Sequence, residues 1–143
     1  RNVAWHLRAG HDAVIGSRTH AESMIQVPAS ALSYAMRRQR QSQVFGKLVR
    51  MLLPLNQHDT QAGLKGFTAA AVETVFPRVT IPRFGFDVEA LFIAQKKGFT
   101  VKQTAVHFRY DEEPTSVSFA QSAFVMAGEV LQVRLNDWRG RYD

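Results

Sequence analysis

The pattern of hydrophobic and polar residues predicts a chain in which helices alternate with short strands. Apolar residues recur at helical spacing in the longer segments and cluster or alternate in the short ones. This order of elements is typical of an α/β fold. In chain order, the predicted elements are a helix over residues 2–9, a strand over 12–16, a polar loop over 17–29, a helix from Ser30 to Leu53, an extended segment over 59–67, a helix from Thr68 to Phe76, a helix after Phe86 that ends at Gly98, a strand over 100–108, an acidic turn over 111–115 and a helix over about 117–135.

The longest predicted helix has two different halves. Ser30 is expected to cap it, and Pro54 stops it. Its first half carries most of its arginines. Its second half carries one apolar stripe at helical spacing, made of Phe45, Leu48, Val49 and Leu52.

Residues 59–67 alternate as an extended strand would. On this interpretation Asp59, Gln61 and Lys65 lie on one side, while apolar residues pack on the other. The polar side then presents a carboxylate, an amide and an ammonium group to a cleft.

The last predicted helix is apolar on two sides. One stripe contains Phe124, Leu131 and Leu135, and a second contains Met126, Val130 and Val133. Such a helix is either enclosed by protein or lies against lipid or another domain. The pattern leaves both arrangements open.

Composition narrows the class of protein. The chain has 143 residues, of which 45% are hydrophobic and 21% charged, so it predicts one folded domain with a real core. Cysteine is absent, which excludes disulfides and thiol catalysis. The five histidines lack metal-ligand spacing, and no apolar run is long enough to span a bilayer. The start at Arg1, without Met, suggests a piece of a longer protein.

The net charge of +6 is concentrated in one region. No acidic residue stands between Glu22 and Asp59, where five basic residues fall: Arg37, Arg38, Arg40, Lys47 and Arg50. A positive field of this kind attracts phosphate groups, although a solvated helix face is the plain alternative.

Three motifs together resemble one protein family. They are Gly-Ser-Arg-Thr-His at residues 16–20, Asp-Thr-Gln-Ala-Gly-Leu-Lys at 59–65, and Phe-Asp-Val-Glu at 86–89 followed by Ala-Gln-Lys-Lys-Gly at 94–98. In this order they are similar to the second half of family 2 glycosyltransferases, specifically the dolichyl-phosphate and polyprenyl-phosphate glucosyl- and mannosyltransferases. The spellings of the first two are closer to the glucosyl branch.

The resemblance implies that residues 1–143 are one partial domain, the acceptor-side half of a GT-A fold with a mixed sheet and flanking helices. In this family the other half binds the nucleotide sugar and carries an Asp-x-Asp motif for a divalent metal, Mg or Mn. No Asp-x-Asp occurs here. The chain alone is therefore expected to lack the nucleotide pocket, the metal ligands and transfer activity, and its uncovered apolar surfaces predict a dimer or other association.

The family reaction joins a hexose, here glucose from UDP-glucose, to a lipid phosphate with inversion. A phosphate oxygen is anionic near neutral pH, so the reaction needs cations that position it more than it needs a base. The resemblance assigns the acceptor phosphate to Arg18, Arg38 and Ser42. Arg37 or Arg40 replaces Arg38 if the preceding loop is aligned differently.

The resemblance also implies residues around the sugar. Asp59 matches the acidic, catalytic position beside the donor sugar, although an Asp after a helix also forms turns. The sugar-site candidates implied by the resemblance are Gln61, Lys65, Arg83, Asp87 and Glu89. For the last two there is a structural alternative, because Asp87 is placed to cap a helix and Glu89 to favour its dipole.

These features predict a cytoplasmic enzyme on a membrane surface, with a nucleotide sugar and a lipid phosphate as partners. Two non-catalytic alternatives use the same basic helix. A nucleic-acid-binding module is disfavoured because the only aromatic residue among the basic residues, Phe45, belongs to the apolar stripe. A scaffold that binds anionic lipid is the other.

Overall fold

The computed structural model describes residues 3–110 and 119–143. The predicted acidic turn at 111–115 and the predicted start of the last helix at 117 lie outside these residues. Short 3₁₀ turns at 29–31 and 76–78 accompany the main elements. These elements are α1 (Val3–Arg8), β1 (Ala13–Ser17), β2 (Met24–Gln26), α2 (Leu32–Leu52), β3 (Lys65–Phe67), α3 (Ala69–Val75), α4 (Gly85–Lys96), β4 (Val101–Ala105), β5 (His107–Arg109) and α5 (Phe119–Trp138).

The strands form two small sheets. In the first, β1 lies between β3 and β4, antiparallel to β3 and parallel to β4. In the second, β2 pairs with β5 in parallel. The α/β class with a mixed sheet and flanking helices is therefore confirmed.

The core lies around β1 and α4. All five residues of β1 are buried, as expected for a strand in the middle of a sheet with a helix packed on it. From Val88 to Ala94 every residue of α4 is buried, because α3, α5 and β4 all contact this helix. The predicted stripe of α2 is confirmed: Phe45 and Val49 are buried, and Leu48 and Leu52 pack against the core.

The predicted loop at 17–29 and the predicted strand at 100–108 are both wrong in one respect. The loop contains β2, and the strand is divided into β4 and β5 at Val106. The reason is their pairing: Ser17 lies opposite Ala105, and the next pair joins Met24 to His107. Six residues, 18–23, therefore lie outside the ladder between β1 and β2, whereas a single residue, Val106, separates β4 from β5. We call residues 18–23 the excursion.

The helix starts also differ in detail from the prediction. Ser30 does not cap α2, because it lies inside the 3₁₀ turn and Ala31 occupies the cap position without a side-chain bond. Asp87 is not the cap of α4 either, since the helix already begins at Gly85, which places Asp87 in its first turn. The helix predicted from Thr68 to Phe76 is confirmed as α3, and the Thr68 side chain caps it by accepting a hydrogen bond from the Ala71 amide.

The extended segment predicted for residues 59–67 is wrong over most of its length. Only Lys65–Phe67 is a strand, and residues 59–62 form a turn closed by the Ala62 amide and the Asp59 carbonyl. Asp59, Gln61 and Lys65 therefore do not share one side of a strand. Whether they share a site depends on tertiary contacts.

Of the two apolar stripes on the last helix, one is buried. Met126, Val130 and Val133 join the core, whereas Phe124 is 83% exposed and Leu131 and Leu135 also face outward. The helix is thus not enclosed by the described residues. No helix among these residues is long and apolar enough to cross a membrane.

Candidate functional site

A cavity of about 1170 Å³ is lined by α2, the residues after β1, residues 58–61 and the start of α4. It brings together side chains that are far apart in sequence. Six of the sequence-predicted site residues line it: Arg18, Arg38, Ser42, Asp59, Gln61 and Asp87.

Arg18 and Asp59 form a two-pronged ion pair at this cavity. Arg18 Nε donates to Asp59 Oδ2 and Arg18 Nη2 to Asp59 Oδ1, both at 2.9 Å, and the Arg18 backbone amide also donates to Oδ2 at 2.9 Å. The Asp59 side chain is 5% exposed and that of Arg18 26% exposed. The carboxylate is therefore enclosed, while the guanidinium still reaches the cavity.

The pair fixes both charges. Burial opposes ionisation of Asp59, but the hydrogen bonds from the Arg18 side chain and amide outweigh it and hold the pKa of Asp59 below its usual value. The hydrogen bond with Asp59 also raises the pKa of Arg18. Both groups are charged throughout the neutral range.

Arg18 lies at the cavity because it is the first residue of the excursion. β1 ends at Ser17 in a fully buried ladder, and Arg18 is the first residue to leave it. Two contacts hold the excursion against the neighbouring strands: Ser23 Oγ donates to the Ser17 carbonyl of β1, and Arg18 Cζ lies 5.8 Å from the centre of the Phe108 ring of β5. A cation over an aromatic face is a favourable arrangement.

The α2 wall supplies further cations. Arg38 Nη1 donates to the Tyr34 hydroxyl at 2.8 Å, one helical turn away. Arg37 also lines the cavity, whereas Arg40 is not among the described residues that do. Of the two alternatives to Arg38, the structure therefore brings only Arg37 to the cavity.

Positive charge dominates the cavity lining. Its cations are Arg18, Arg37, Arg38, Lys47 and Arg50. Its carboxylates are Asp59, paired with Arg18, and Asp87, whose Oδ1 lies 3.1 Å from Lys65 Nζ. An anionic ligand therefore meets cations in excess.

Lys65, Arg83 and Glu89 are not among the described residues that line the cavity. Lys65 reaches it only through its ion pair with Asp87. Arg83 is exposed and is the one described non-glycine residue with a positive φ, 67°. Such a conformation is held only where neighbouring contacts fix the backbone.

Glu89 lies in the core, so the structure does not bring it to the sugar-site candidates. Its side chain accepts hydrogen bonds from the Thr80 amide and hydroxyl, the Ile81 amide and the Tyr142 hydroxyl at 2.6–2.9 Å. These contacts anchor the backbone just before Arg83. Glu89 is thus a structural acceptor, and the helix-dipole alternative does not describe it either, because it lies in the second turn of α4.

Several residues around the site were not predicted from the sequence. Glu129 Oε2 accepts from the Gly85 amide at 2.6 Å, and a Cβ at Gly85 would lie 2.8 Å from Glu129 Cβ, so the glycine permits this contact. Tyr34 and Tyr110 line the cavity. The spacing of Tyr34 and Arg38 on one helix was a usable signal, whereas Tyr110 lies beyond the end of the strand predicted over 100–108.

The described residues include no group of three or more His, Asp or Glu side chains that could hold a metal ion. They therefore do not fit the divalent cation that the family resemblance implies.

The chain is similar to curated dolichyl-phosphate beta-glucosyltransferases. It is 33% identical to the protein of that name from Dictyostelium discoideum over 76 residues, which is 53% of this chain and 23% of the relative. It is 34% identical to the Homo sapiens protein over 98 residues, 68% of this chain and 30% of the relative. These similarities support a relationship with glycosyltransferases.

The chain spans less than a third of the length of these relatives. No family model matches it. No solved structure matches it either.

Proposed function

We propose that this chain is the acceptor-side part of a glycosyltransferase of family 2 that transfers glucose from UDP-glucose to a dolichyl or polyprenyl phosphate. The observation that carries the proposal is the cationic cavity whose lining includes Arg18, Arg38 and Ser42. The relatives add support through their names, which specify a dolichyl phosphate and a glucosyl group. In this proposal the nucleotide sugar and its divalent cation bind to the other half of a GT-A fold.

The reaction requires little acid–base chemistry. An oxygen of the acceptor phosphate attacks the anomeric carbon of glucose, the bond to the UDP diphosphate breaks, and the configuration at that carbon inverts. Because the attacking oxygen is already anionic, the contribution of this chain is to hold the phosphate in line with the leaving group.

Arg18 and Arg38 suit this task better than lysines would. A guanidinium presents paired N–H groups that match two phosphate oxygens, and it stays charged when partly buried. Arg18 is held by Asp59 and Arg38 contacts Tyr34, so both side chains are ordered before a ligand arrives. A pre-ordered site loses less entropy on binding.

A lipid surface is part of the proposal, on the cytoplasmic side of a membrane. Four large apolar residues of α2 are 50–76% exposed beside its basic residues: Leu32, Met36, Val44 and Met51. Exposed apolar groups among cations match an anionic lipid surface.

Binding of farnesyl phosphate, a short soluble polyprenyl phosphate, tests the acceptor role with the 143-residue chain. Calorimetric titration should show binding of farnesyl phosphate that is much tighter than binding of farnesol or of inorganic phosphate. Equal affinity for farnesol would contradict a phosphate site. Tighter binding of a single-stranded oligonucleotide than of farnesyl phosphate would favour the nucleic-acid module instead.

Turnover tests the enzymatic part. A protein that contains this chain together with the complete donor half should form a labelled lipid from radiolabelled UDP-glucose and dolichyl phosphate. Lipid-phosphate binding without any transfer would leave the scaffold interpretation.

A further inference from the structure

The geometry points to a positioning role for Asp59: we propose that it orients Arg18 toward the acceptor phosphate and does not itself contact the sugar. This inference rests on the proposed acceptor function. It replaces the catalytic role that the family resemblance implies for this residue.

The Asp59 carboxylate is already occupied by contacts within the protein. Both Asp59 oxygens already accept hydrogen bonds from Arg18, three in total. With a side chain that is 5% exposed, the carboxylate has little surface left for a substrate. A carboxylate stabilised in its charged form by these bonds is also a weak proton acceptor.

Arg18 needs a contact that fixes its position at this point of the chain. Arg18 leaves the β1 ladder at the start of the excursion, so strand pairing no longer fixes its backbone. Asp59 binds the Arg18 amide and its guanidinium together, which fixes both the backbone and the side-chain direction. Neither bond would be needed for a carboxylate that acts on a sugar.

Asp59 leaves part of the Arg18 guanidinium available to a ligand. Asp59 occupies Nε and one N–H of Nη2, and no other described residue accepts a hydrogen bond from this guanidinium. Arg18 lines the cavity, so its remaining N–H groups are the ones that a phosphate can meet. The ion pair thus selects which edge of the guanidinium serves the ligand.

The roles predict opposite effects of Asp59→Asn on binding. If Asp59 only neutralises Arg18, removing its charge should strengthen the binding of an anion. If Asp59 positions Arg18, the variant should bind farnesyl phosphate about tenfold or more weakly, because a charge-assisted contact loses its geometry. Asp59→Glu should recover part of the loss.

The test is calorimetric titration of farnesyl phosphate into the 143-residue chain and five variants. Glu22→Gln is the matched control, since it removes one negative charge from the exposed side of the same excursion. We expect it to bind as well as the parent or slightly better. Arg18→Ala should weaken binding, and the double variant with Asp59→Asn should be no worse than Arg18→Ala within about twofold, because the two residues act as one unit.

Binding by Asp59→Asn that equals or exceeds that of the parent, while Arg18→Ala is weakened, would overturn the positioning role. Absence of farnesyl phosphate binding by the parent would instead contradict the proposed function.

A readout without ligand tests the ion pair on which the positioning role depends, and it also serves if Asp59→Asn does not fold. In the ¹⁵N spectrum of the parent at neutral pH, the Arg18 Nε–H signal should be protected from solvent exchange, and it should lose protection when acid protonates Asp59. A freely exchanging Nε–H in the folded parent would overturn the inference.

Discussion

Two carboxylates of this chain are almost equally buried and have opposite surroundings. Asp59 is paired with a cation that reaches the cavity, whereas Glu89 accepts only from neutral donors inside the core. Burial alone therefore does not identify a functional acid in this protein. Their partners distinguish them: Asp59 binds an arginine that lines the cavity, whereas the donors around Glu89 only join α4 to residues 80–81 and to Tyr142.

The largest expected effect is on the stability of the Glu89 region. Glu89→Ala leaves four hydrogen-bond donors without their acceptor, and unsatisfied buried groups cost roughly 1–3 kcal/mol each. We expect a loss of about 3–5 kcal/mol in the free energy of unfolding, measured by urea denaturation, since the effects of neighbouring groups do not add fully.

The exposed Glu73→Ala on α3 is the control for this measurement and should change the free energy of unfolding by less than about 0.5 kcal/mol. A cost for Glu89→Ala close to that of the control would mean that its donors find water or other partners.

The next largest effect is on the binding of farnesyl phosphate at the cationic cavity. Arg38→Ala should weaken farnesyl phosphate binding by roughly 1.5–3 kcal/mol, or about 10- to 150-fold, with little change in stability. Arg38→Lys should recover only part of it. The control is Arg40→Ala, two residues further along the exposed part of the same helix, which should bind within about twofold of the parent. If Arg40→Ala is the variant that loses affinity, the alignment that assigns the acceptor phosphate to Arg40 is correct.

A smaller effect is expected at Tyr142, which is also fully buried. Tyr142→Phe removes only the hydroxyl that donates to Glu89 at 2.6 Å, and burial of this phenol already raises its pKa above the ordinary range. The loss of this one buried hydrogen bond should cost about 0.5–1.5 kcal/mol of unfolding free energy. Phosphate binding should stay unchanged, and a fall in affinity would show that the two regions are coupled.

The smallest effect is the pH dependence that Asp59 contributes. Its pKa is lowered in the folded protein, so its stabilising contribution is complete above the unfolded value of about 3.9 and is lost as the pH falls through the folded value. Asp12 and Asp143 also have lowered pKa values and add to the acid sensitivity. Urea denaturation of the parent and of Asp59→Asn between pH 3 and 6 isolates the part due to Asp59. If the free energies of unfolding of the two proteins change in parallel with pH, Asp59 does not make this contribution.

Local signals predicted much of the helical framework. Three confirmed features depend on residues within a few positions of each other: the stripe of α2, the helix that follows Thr68, and the end of α4 near Gly98, which has φ +80°. Motif similarity also placed Arg18 and Asp59 among the site residues before any contact between them was known.

The errors have a common physical origin in long-range pairing. β2 and β5 have three residues each, and each is a strand only because the other lies beside it. Residues 59–62 turn away from an extended path where Asp59 binds Arg18, 41 positions earlier in the chain. Glu89 follows the same rule, since its acceptor role depends on Tyr142, 53 positions later. Partners this far apart in the chain cannot be inferred from the local spacing of apolar and polar residues.

The parallel pairing of β1 with β4 also has a consequence for how the chain folds. It joins Ala13 to Val101, so a long intervening segment must close into a loop before the ladder gains any hydrogen bond. Contacts this distant in sequence slow folding relative to local helical contacts. During synthesis the apolar strand β1 leaves the ribosome well before its parallel neighbour exists, and until then its edge is open to wrong pairing with other chains. Protection of that edge by a chaperone should therefore raise the yield of native protein more than any change in the helices.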